Sequence, residues 1–388
     1  MVIRYPNYYK KFQCIAGTCP DTCCAGWEIA VDPASEKRYQ SAYRQLKKTK
    51  PDFARKLKTY IKDGGIISED VTCPFLDQNG LCEMYIELGP ESLCHTCKRH
   101  PRHMEDYGNL HEMMLLMSCP EAARLILEEN DGGFYTRNLP ERHGNMDGID
   151  ENLLEILLEA RELIFDVLER QGSSLNAKMA FALALGHDIQ RRIAQDAYTY
   201  ADVRAVLKRY GKENALDGFL SQWKGRGDIG ELMNDLTTEF ENLDTICRGW
   251  PKMVEYSKNT LRDLRSVSET YGHRWSEFAE TNPAQEAGWT NVLRYFLYSF
   301  MLTALYDGDV LTKIKMAVLC TMLIMELDLA DWLNGKCPDR VAHGYSLARQ
   351  VENSDENRRK LEQIFKQEKF SSRRIIDVLL SKTIRMEL

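Results

Sequence analysis

IKMAVLCTMLIMELDLADWL, residues 314–333, and NVLRYFLYSFMLTAL, residues 291–305, are apolar on nearly every side of a helix. A helix with apolar side chains all round has to be enclosed by other elements, so these stretches predict two central helices of a bundle. YDGD, residues 306–309, has turn chemistry and suits a tight connection between them. The pair therefore predicts a mainly α fold.

Periodicity predicts further helices before this pair. Within residues 151–171, Leu, Ile and Val recur three and four positions apart, which gives one apolar stripe of a helix. Asn282, Pro283 and Gln285 have the order of an N-cap, a first-turn proline and a capping-box partner, so we expect a helix to start there. More helices are predicted near residues 176–195, 200–210, 228–242 and 251–270.

Residues 131–150 contain turn residues and no apolar periodicity, and we place a domain boundary there. The division gives a cysteine-rich metal-cluster domain, residues 1–130, and a helical domain, residues 131–388. Strand patterns are scarce, so we expect a metal-binding head with little regular structure packed on a multi-helix body. In the head, one helix is predicted over about residues 33–62, capped by Asp32.

The composition excludes several classes of protein. The 388 residues carry 51 Lys and Arg against 58 Asp and Glu, a formal charge of -7, whereas nucleic-acid-binding domains are usually basic. The start, MVIRYPNYYK, lacks the apolar run of a signal peptide. The uncharged apolar stretch Met316–Met325 is well short of the roughly 20 residues that span a bilayer. We therefore expect a cytoplasmic protein with no nucleic-acid partner and no membrane partner.

Cysteine is the most informative residue type, because nine of the twelve cysteines lie between Cys14 and Cys119. In a reducing compartment such clusters are more typical of metal ligands or redox groups than of disulfides. Within this region only Cys94 and Cys97 have C-x-x-C spacing, which lets two sulfurs converge on one ion. A metal site would therefore have to join the N-terminal loop to residues 73–97 through folding.

The spacing of the cysteines alone does not distinguish zinc from an iron–sulfur cluster. Zinc sites usually show paired C-x-x-C knuckles, whereas long, irregular spacings are equally compatible with a four-cysteine [4Fe–4S] cluster. The radical triad C-x3-C-x2-C begins at Cys19 and Cys23 but meets Gly26 where the third cysteine would stand. We therefore expect no radical chemistry.

Two features flank the cysteines. KRHPRH, residues 98–103, would either offset the negative charge of a thiolate centre, hold a carboxylate-bearing ligand, or form a solvated turn. Cys119 precedes Pro120, so we expect it at a helix N-cap, a position that lowers the pKa of a thiol.

Three stretches of the head resemble the bacterial flagellin lysine-N-methyltransferase family. They are YPNYYKKFQCIAGTCPDTCCAGWEIAVD (5–32), CPFLDQNGLCEMYIELGPESLCHTCKRHPR (73–102) and MSCPEAARLIL (117–127). They are also similar to a broader group of cysteine-cluster proteins that bind zinc or iron. The resemblance is looser over the body. It implies transfer of methyl groups from S-adenosylmethionine to lysines of flagellin as partner, with a [4Fe–4S] cluster (zinc as the alternative) in a structural role.

The resemblance also implies a set of metal ligands. Our first choice of four is Cys23, Cys73, Cys82 and Cys97, which lie in the pieces shared with the broader group. Cys14 and Cys119 are weaker candidates. The full set of candidate ligands is Cys19, Cys23, Cys24, Cys73, Cys82, Cys94 and Cys97.

The residues alone do not locate a methyl-donor pocket. No Gly-rich loop follows a strand as in a Rossmann-type methyltransferase, so the pocket has to be built from helices and loops. Catalytic and donor-binding residues stay unassigned. Tyr295, Tyr306, Asp307 and Asp309 are pocket candidates or, alternatively, core and turn residues. The competing functions are a non-enzymatic zinc- or iron-binding module with a helical partner platform, and an iron–sulfur redox protein.

Overall fold

The computed structural model is mainly α. It describes residues 1–25, 27, 29–67, 72–140, 142–195, 199–282 and 284–381. The elements of the N-terminal part are β1 (Val2–Pro6), β2 (Ile29–Ala30), α1 (Pro33–Leu46), α2 (Pro51–Tyr60), β3 (Ile61–Lys62), β4 (Gly65–Ile66), α3 (Glu83–Leu88), α4 (His95–Arg99), β5 (Arg102–Tyr107), β6 (Leu110–Leu115), α5 (Pro120–Leu127) and β7 (Phe134–Asn138).

The head has more regular structure than the sequence predicts, because it contains two small sheets. The larger has the strand order β5-β6-β1-β7, and the smaller has the order β2-β4-β3. In the larger sheet β1 runs parallel to β6, with Val2 opposite Leu110, and antiparallel to β7, with Val2 opposite Asn138. The β5–β6 hairpin turns at Gly108, whose φ of 70° is a conformation that suits glycine.

The predicted helix over residues 33–62 is divided into two. Asp32 caps α1 as expected, since its carboxylate accepts a hydrogen bond from the backbone N–H of Ser35 at 2.9 Å. The first helix ends at Leu46 and the second begins at Pro51. Proline has no N–H to donate to the preceding turn but fits the first helical position, so Pro51 starts a helix and cannot continue one.

The body is helical, as predicted. Its helices are α6 (Glu151–Glu169), α7 (Leu175–Ile193), α8 (Tyr200–Tyr210), α9 (Ala215–Gln222), α10 (Ile229–Glu241), α11 (Trp250–Arg265), α12 (Ser268–Thr281), α13 (Ala284–Phe300), α14 (Ala304–Asp307), α15 (Val310–Leu333), α16 (Arg340–Glu352), α17 (Asp355–Ile364) and α18 (Ser372–Leu379). Within the ranges that the structure describes, no helix combines the length and the apolar character needed to cross a membrane.

The two apolar stretches form the predicted central pair, α13 and α15. Both are largely buried, and they pack on each other. The connection between them turns at Gly308, which is left-handed with a φ of 69°, and Asp309 caps α15 by accepting from the N–H of Thr312 at 3.1 Å. The tight turn expected at YDGD is confirmed. Pro283, the expected first-turn proline, lies outside the described residues.

Buried side chains form a large core, a smaller one, and a cluster of Val167, Phe181 and Leu216. The large core joins the body helices to Tyr5, Tyr8 and Phe12 and to residues of β6 and α5. The smaller core lies in the head, and its buried members are Ile29, Val31, Tyr39, Phe53, Leu57, Phe75, Met84 and Cys94. Within the predicted boundary region, β7 pairs with β1. The division into residues 1–130 and 131–388 stays a prediction.

Candidate functional site

The fold brings the two cysteine-bearing segments of the head side by side. The N–H of Cys73 donates to the carbonyl oxygen of Cys24 at 2.8 Å, and Ala25 pairs with Thr72 in an isolated β-bridge. The N-terminal loop therefore lies against the segment that begins at Cys73, which is the arrangement a shared thiolate site requires.

Cys94 and Cys97 form a coupled thiol pair on α4. Cys94 is the N-cap of that helix, and a hydrogen bond with the Cys97 thiol lowers the pKa of Cys94 to about 6. The same hydrogen bond, with burial, raises the pKa of Cys97. Backbone N–H groups of Thr96 and Cys97 also stabilise the Cys94 thiolate. The pair therefore loses its first proton more easily than a free thiol does and its second proton less easily.

Cys73 and Cys82 lie at the two ends of a turn. Burial raises the pKa of Cys73 to about 11, although the N–H of Phe75 stabilises its thiolate. Burial likewise raises the pKa of Cys82 against the N–H groups of Tyr85 and Met84. Both sulfurs therefore receive backbone donors, which is the environment that a metal-bound thiolate needs.

Cys23 lies next to the other thiols, and its pKa is raised by a hydrogen bond with Cys24 and by burial. Burial also raises the pKa of Cys19. The positive charge of Arg349 on α16 acts in the other direction and lowers the pKa of both Cys19 and Cys23. Arg349 is 3% exposed, and its Nη1 donates to Asp21 at 2.6 Å. A residue of the helical body therefore holds the N-terminal loop that carries Cys19, Cys23 and Cys24, which we call the cysteine loop.

The expectation for Cys119 is wrong in one respect. Cys119 is the N-cap of α5, as predicted, but its thiol does not have the lowered pKa expected at that position. Burial raises its pKa to about 11, outweighing the N–H groups of Ala122 and Glu121. Desolvation disfavours the thiolate more than the helix N-terminus favours it.

The basic segment 98–103 mostly has partners of its own. Lys98 pairs with Glu91, and His103 Nε2 lies 2.6 Å from a carboxylate oxygen of Glu105. His100 is different, because burial and the charge of Arg349 lower its pKa to about 4, so its ring is neutral. The segment therefore joins the end of α4 to the start of β5 and has local ion pairs.

The cysteines fit a thiolate-bound metal in their chemistry, since soft sulfur donors with backbone N–H partners are what zinc or an iron–sulfur cluster takes. Within the described ranges, no three Cys, His, Asp or Glu side chains are placed so that they could hold a metal ion. The choice of ligands stays a prediction. Gly26 lies outside the described residues. It is the residue that stands where a radical triad would need its third cysteine.

A cleft with about 300 Å³ of empty space, part of it open to solvent, lies where the N-terminal segment meets α5 and α13. Four residues on one face of α13 line this cleft, since residues three, four and seven positions apart lie on the same side of a helix. They are Asn291, Arg294, Tyr295 and Tyr298. The complete lining is Pro6, Tyr8, Ile126, Glu129, Gly132, Gly133, Phe134, Asn291, Arg294, Tyr295 and Tyr298.

One end of the cleft is built around Arg294. Asn291 Nδ2 donates to the carbonyl oxygen of Glu129 at 2.7 Å, and Arg294 Nη1 donates to Asn291 Oδ1 at 2.9 Å. Arg294 also pairs with Glu169. Gly132 has a φ of 55°, and a Cβ there would lie 2.5 Å from the guanidinium carbon of Arg294. Glycine therefore lets this turn lie directly over the guanidinium.

Behind Tyr295, which lines the cleft, lies the buried carboxyl group of Glu352. The Tyr295 hydroxyl accepts from the N–H of Met117 at 2.9 Å and donates to Glu352. The N–H of Ser118 also donates to Glu352, at 3.2 Å. Burial raises the pKa of Glu352 to about 7, against the lowering effect of these hydrogen bonds.

Of the four pocket candidates, Tyr295 lines this cleft and the others lie at the α13–α15 connection. Tyr306 is 61% exposed. Asp307 pairs with Lys313 at 2.8 Å, and Asp309 is the cap of α15. Tyr306 and Asp307 thus belong to the short helix α14 of this connection, and Asp309 belongs to the turn that follows it.

Sequence reasoning missed the rest of the polar lining: Tyr8, Glu129, Asn291, Arg294 and Tyr298. The spacing of Asn291, Arg294, Tyr295 and Tyr298 within NVLRYFLYSF places them on one helical face, and this signal could have found them. Tyr8 and Glu129 reach the cleft only through the tertiary fold.

Comparison with known proteins identifies the family. Residues 161–376, more than half of the chain, match the FliB lysine N-methylase C-terminal domain. The chain therefore belongs to the FliB lysine N-methylase family, which confirms the resemblance seen in the head. No solved structure matches the chain.

Individual relatives match over a shorter part. The lysine-N-methylase of Salmonella choleraesuis (strain SC-B67) is 30% identical over 135 residues, which is 34% of this chain and 34% of that protein. The flagellar biosynthetic protein FliU of Salmonella muenchen is 29% identical over 135 residues, which is 34% of this chain and 80% of FliU. The chain thus spans about a third of the length of the lysine-N-methylase that it matches.

Proposed function

We propose that the protein is a lysine N-methyltransferase that moves methyl groups from S-adenosylmethionine to lysine side chains of flagellin. The observation that carries the proposal is the match of residues 161–376 to the lysine N-methylase domain. The name of FliU connects a relative with the flagellum. The expected substrate is therefore a flagellar protein, and flagellin is our specific choice.

The reaction needs a neutral amine. A lysine with a pKa of about 10.4 has to lose a proton before its nitrogen attacks the sulfonium methyl carbon. The N–C bond forms as the S–C bond breaks, the sulfur keeps the electron pair, and the nitrogen becomes a methylammonium that keeps its two protons. The proton released in the reaction is the one that the lysine ammonium loses to solvent before the attack. A site that orients the amine in line with that bond and removes water from it supplies most of the catalysis.

We propose that the head carries a structural thiolate centre, a [4Fe–4S] cluster or a zinc ion. Cys23, Cys73, Cys82 and Cys97 would hold it, with Cys19, Cys24 and Cys94 as the alternatives. Support comes from the contact of the two cysteine segments and from the N–H donors at Cys73 and Cys82. Bound there, the centre would fix the fold of the head.

The test is a methylation assay with purified protein, S-adenosylmethionine and flagellin from the same organism. Peptide mass spectrometry should find mass increases of one CH₂ per methyl on flagellin lysines. Flagellin isolated from a deletion strain serves as the unmethylated acceptor. If it already carries the wild-type methyl-lysines, the proposal fails. A protein that binds metal but leaves flagellin unchanged is then the metal-binding module.

A further inference from the structure

The cleft beside α13 contains a buried carboxylate next to a lysine of this chain. The side chain of Glu129 is 5% exposed, and Lys11 Nζ lies 3.5 Å from its Oε2. Lys11 itself is 59% exposed. A long ion pair with one exposed partner is weak, so another ammonium group can displace Lys11 at small cost.

Arg294 and Tyr298, two other polar side chains of the cleft, have closer partners. Arg294 pairs with Glu169 and donates to Asn291. The Tyr298 hydroxyl donates to the carbonyl oxygen of Arg4 at 3.2 Å. The Oε1 atom of Glu129 accepts from the N–H of Asn130 at 3.0 Å. Oε2 has a weaker partner, Lys11 at 3.5 Å, and is therefore the carboxylate oxygen that the ammonium group of a ligand can take.

The wall next to this acceptor is aromatic. Tyr8, Phe134 and Tyr298 line the cleft, and the rings of Phe134 and Tyr298 lie 4.9 Å apart. The side chain of Tyr8 is buried, and its hydroxyl is close enough to Glu129 to feel the charge of that carboxylate. An aromatic lining beside a carboxylate suits an aliphatic stem that ends in an ammonium group, which describes a lysine side chain.

We propose that this cleft binds the acceptor lysine of the substrate, with Glu129 Oε2 receiving its ammonium group in place of Lys11. The inference deepens the proposed function and rests on it for the identity of the ligand. Lys11 holds the position when no substrate is bound.

The experiment measures binding without methylation. Nα-acetyl-lysine N-methylamide is titrated into the full chain by calorimetry, and the norleucine analogue, which lacks the amine, is the control ligand. Glu129→Gln should weaken binding of the lysine probe about tenfold or more, since it removes a charge-assisted hydrogen bond. Lys11→Met should tighten binding, because the competing ammonium is gone.

Glu128→Gln is the matched control variant. Glu128 is the neighbouring residue, its side chain is 60% exposed, and it pairs with Arg124. This variant should bind the probe like the wild type. Lys11→Met keeps the test valid if Glu129→Gln does not fold, because Lys11 is on the surface.

The possible results separate the two proposals. Equal affinities of Glu129→Gln and wild type, or equal binding of the norleucine analogue, would overturn the cleft assignment, whether or not flagellin is methylated. Binding that depends on Glu129, in a protein that leaves flagellin unmethylated, would support the cleft and remove the proposed reaction.

Discussion

His343 on α16 lies buried between two carboxylates of α15. Its Nδ1 is 2.6 Å from Asp328 Oδ1, and its Nε2 is 3.3 Å from Asp331 Oδ2. Asp328 also accepts hydrogen bonds from Trp289 and Arg340, each at 2.8 Å. Burial alone would lower the pKa of His343, but the hydrogen bonds to both carboxylates raise it to about 9. His343 is therefore a cation at neutral pH that joins two helices.

The raised pKa makes this link dependent on pH. The stabilisation is fully present below the unfolded pKa of about 6.5 and is lost as the pH rises through about 9. We predict that His343→Gln destabilises the protein more at pH 6 than at pH 9.5, with a difference of up to about 3 kcal/mol. Urea denaturation at both pH values measures it.

At each pH, the difference in the free energy of unfolding between the variant and the wild type cancels the contributions of the other titrating groups and leaves that of His343. His273→Gln is the control, because His273 is exposed on α12. It should change the free energy of unfolding little at either pH. A loss that is the same at pH 6 and pH 9.5 for His343→Gln would contradict the charged link.

At the scale of elements, helix α10 starts in close contact with the end of α11. A Cβ at Gly230 would lie 2.1 Å from the carbonyl oxygen of Arg265. The backbone of α11 at Arg265 cannot move aside for this Cβ as a flexible side chain could. The side chain of Arg265 is also fixed, by a buried ion pair with Glu326 of α15 at 2.6 Å. Gly230 thus sets how closely α10 approaches two other helices.

We predict that Gly230→Ala lowers the free energy of unfolding by about 1–3 kcal/mol, because the added methyl group forces α10 away from α11. Gly218→Ala is the matched control, since Gly218 is also helical and a Cβ there meets nothing within 4 Å. It should raise the free energy of unfolding by about 0.5–1 kcal/mol through the better helix propensity of alanine. Urea denaturation compares the two, and equal effects would refute the steric argument.

Elements whose pattern is local could be predicted from the sequence. The apolar stripe of α6 and the all-round apolar surface of α15 belong to single segments, and so does the cap at Asp32. The larger sheet could not be predicted, because β1 needs β6 and β7, which lie more than a hundred residues along the chain. The cleft also depends on contacts between distant segments. The sequence therefore indicates Tyr295, which is on α13, but not Tyr8, which reaches the cleft from the N-terminal segment.

At the scale of the whole molecule, Arg349 ties the cysteine loop to the helical body. Its Nε donates to the carbonyl oxygen of Ser118 at 2.9 Å, while its Nη1 binds Asp21. The small core around Phe75 and Met84 is otherwise separate from the large core of the body. The part of the head around the small core can therefore loosen while the large core keeps its packing.

This separation gives a prediction for the proposed thiolate centre. Because the energy of binding a structural metal is also folding energy, Cys82→Ser should lower the metal content and loosen the small core. Hydrogen exchange followed by mass spectrometry should show faster exchange in residues 29–67 and 72–97. Exchange in α13 and α15 should stay as in the wild type.

Cys337→Ser is the control for that experiment, because Cys337 is an exposed thiol of the body. Elemental analysis of anaerobically purified protein should find the wild-type metal content in this variant and a reduced content in Cys82→Ser. Equal metal in both variants would refute Cys82 as a ligand. Loss of metal with unchanged exchange in the head would show instead that the centre is bound but does not hold the head together. In that case the small core folds by apolar burial and the link through Arg349, and the structural role proposed for the centre is wrong.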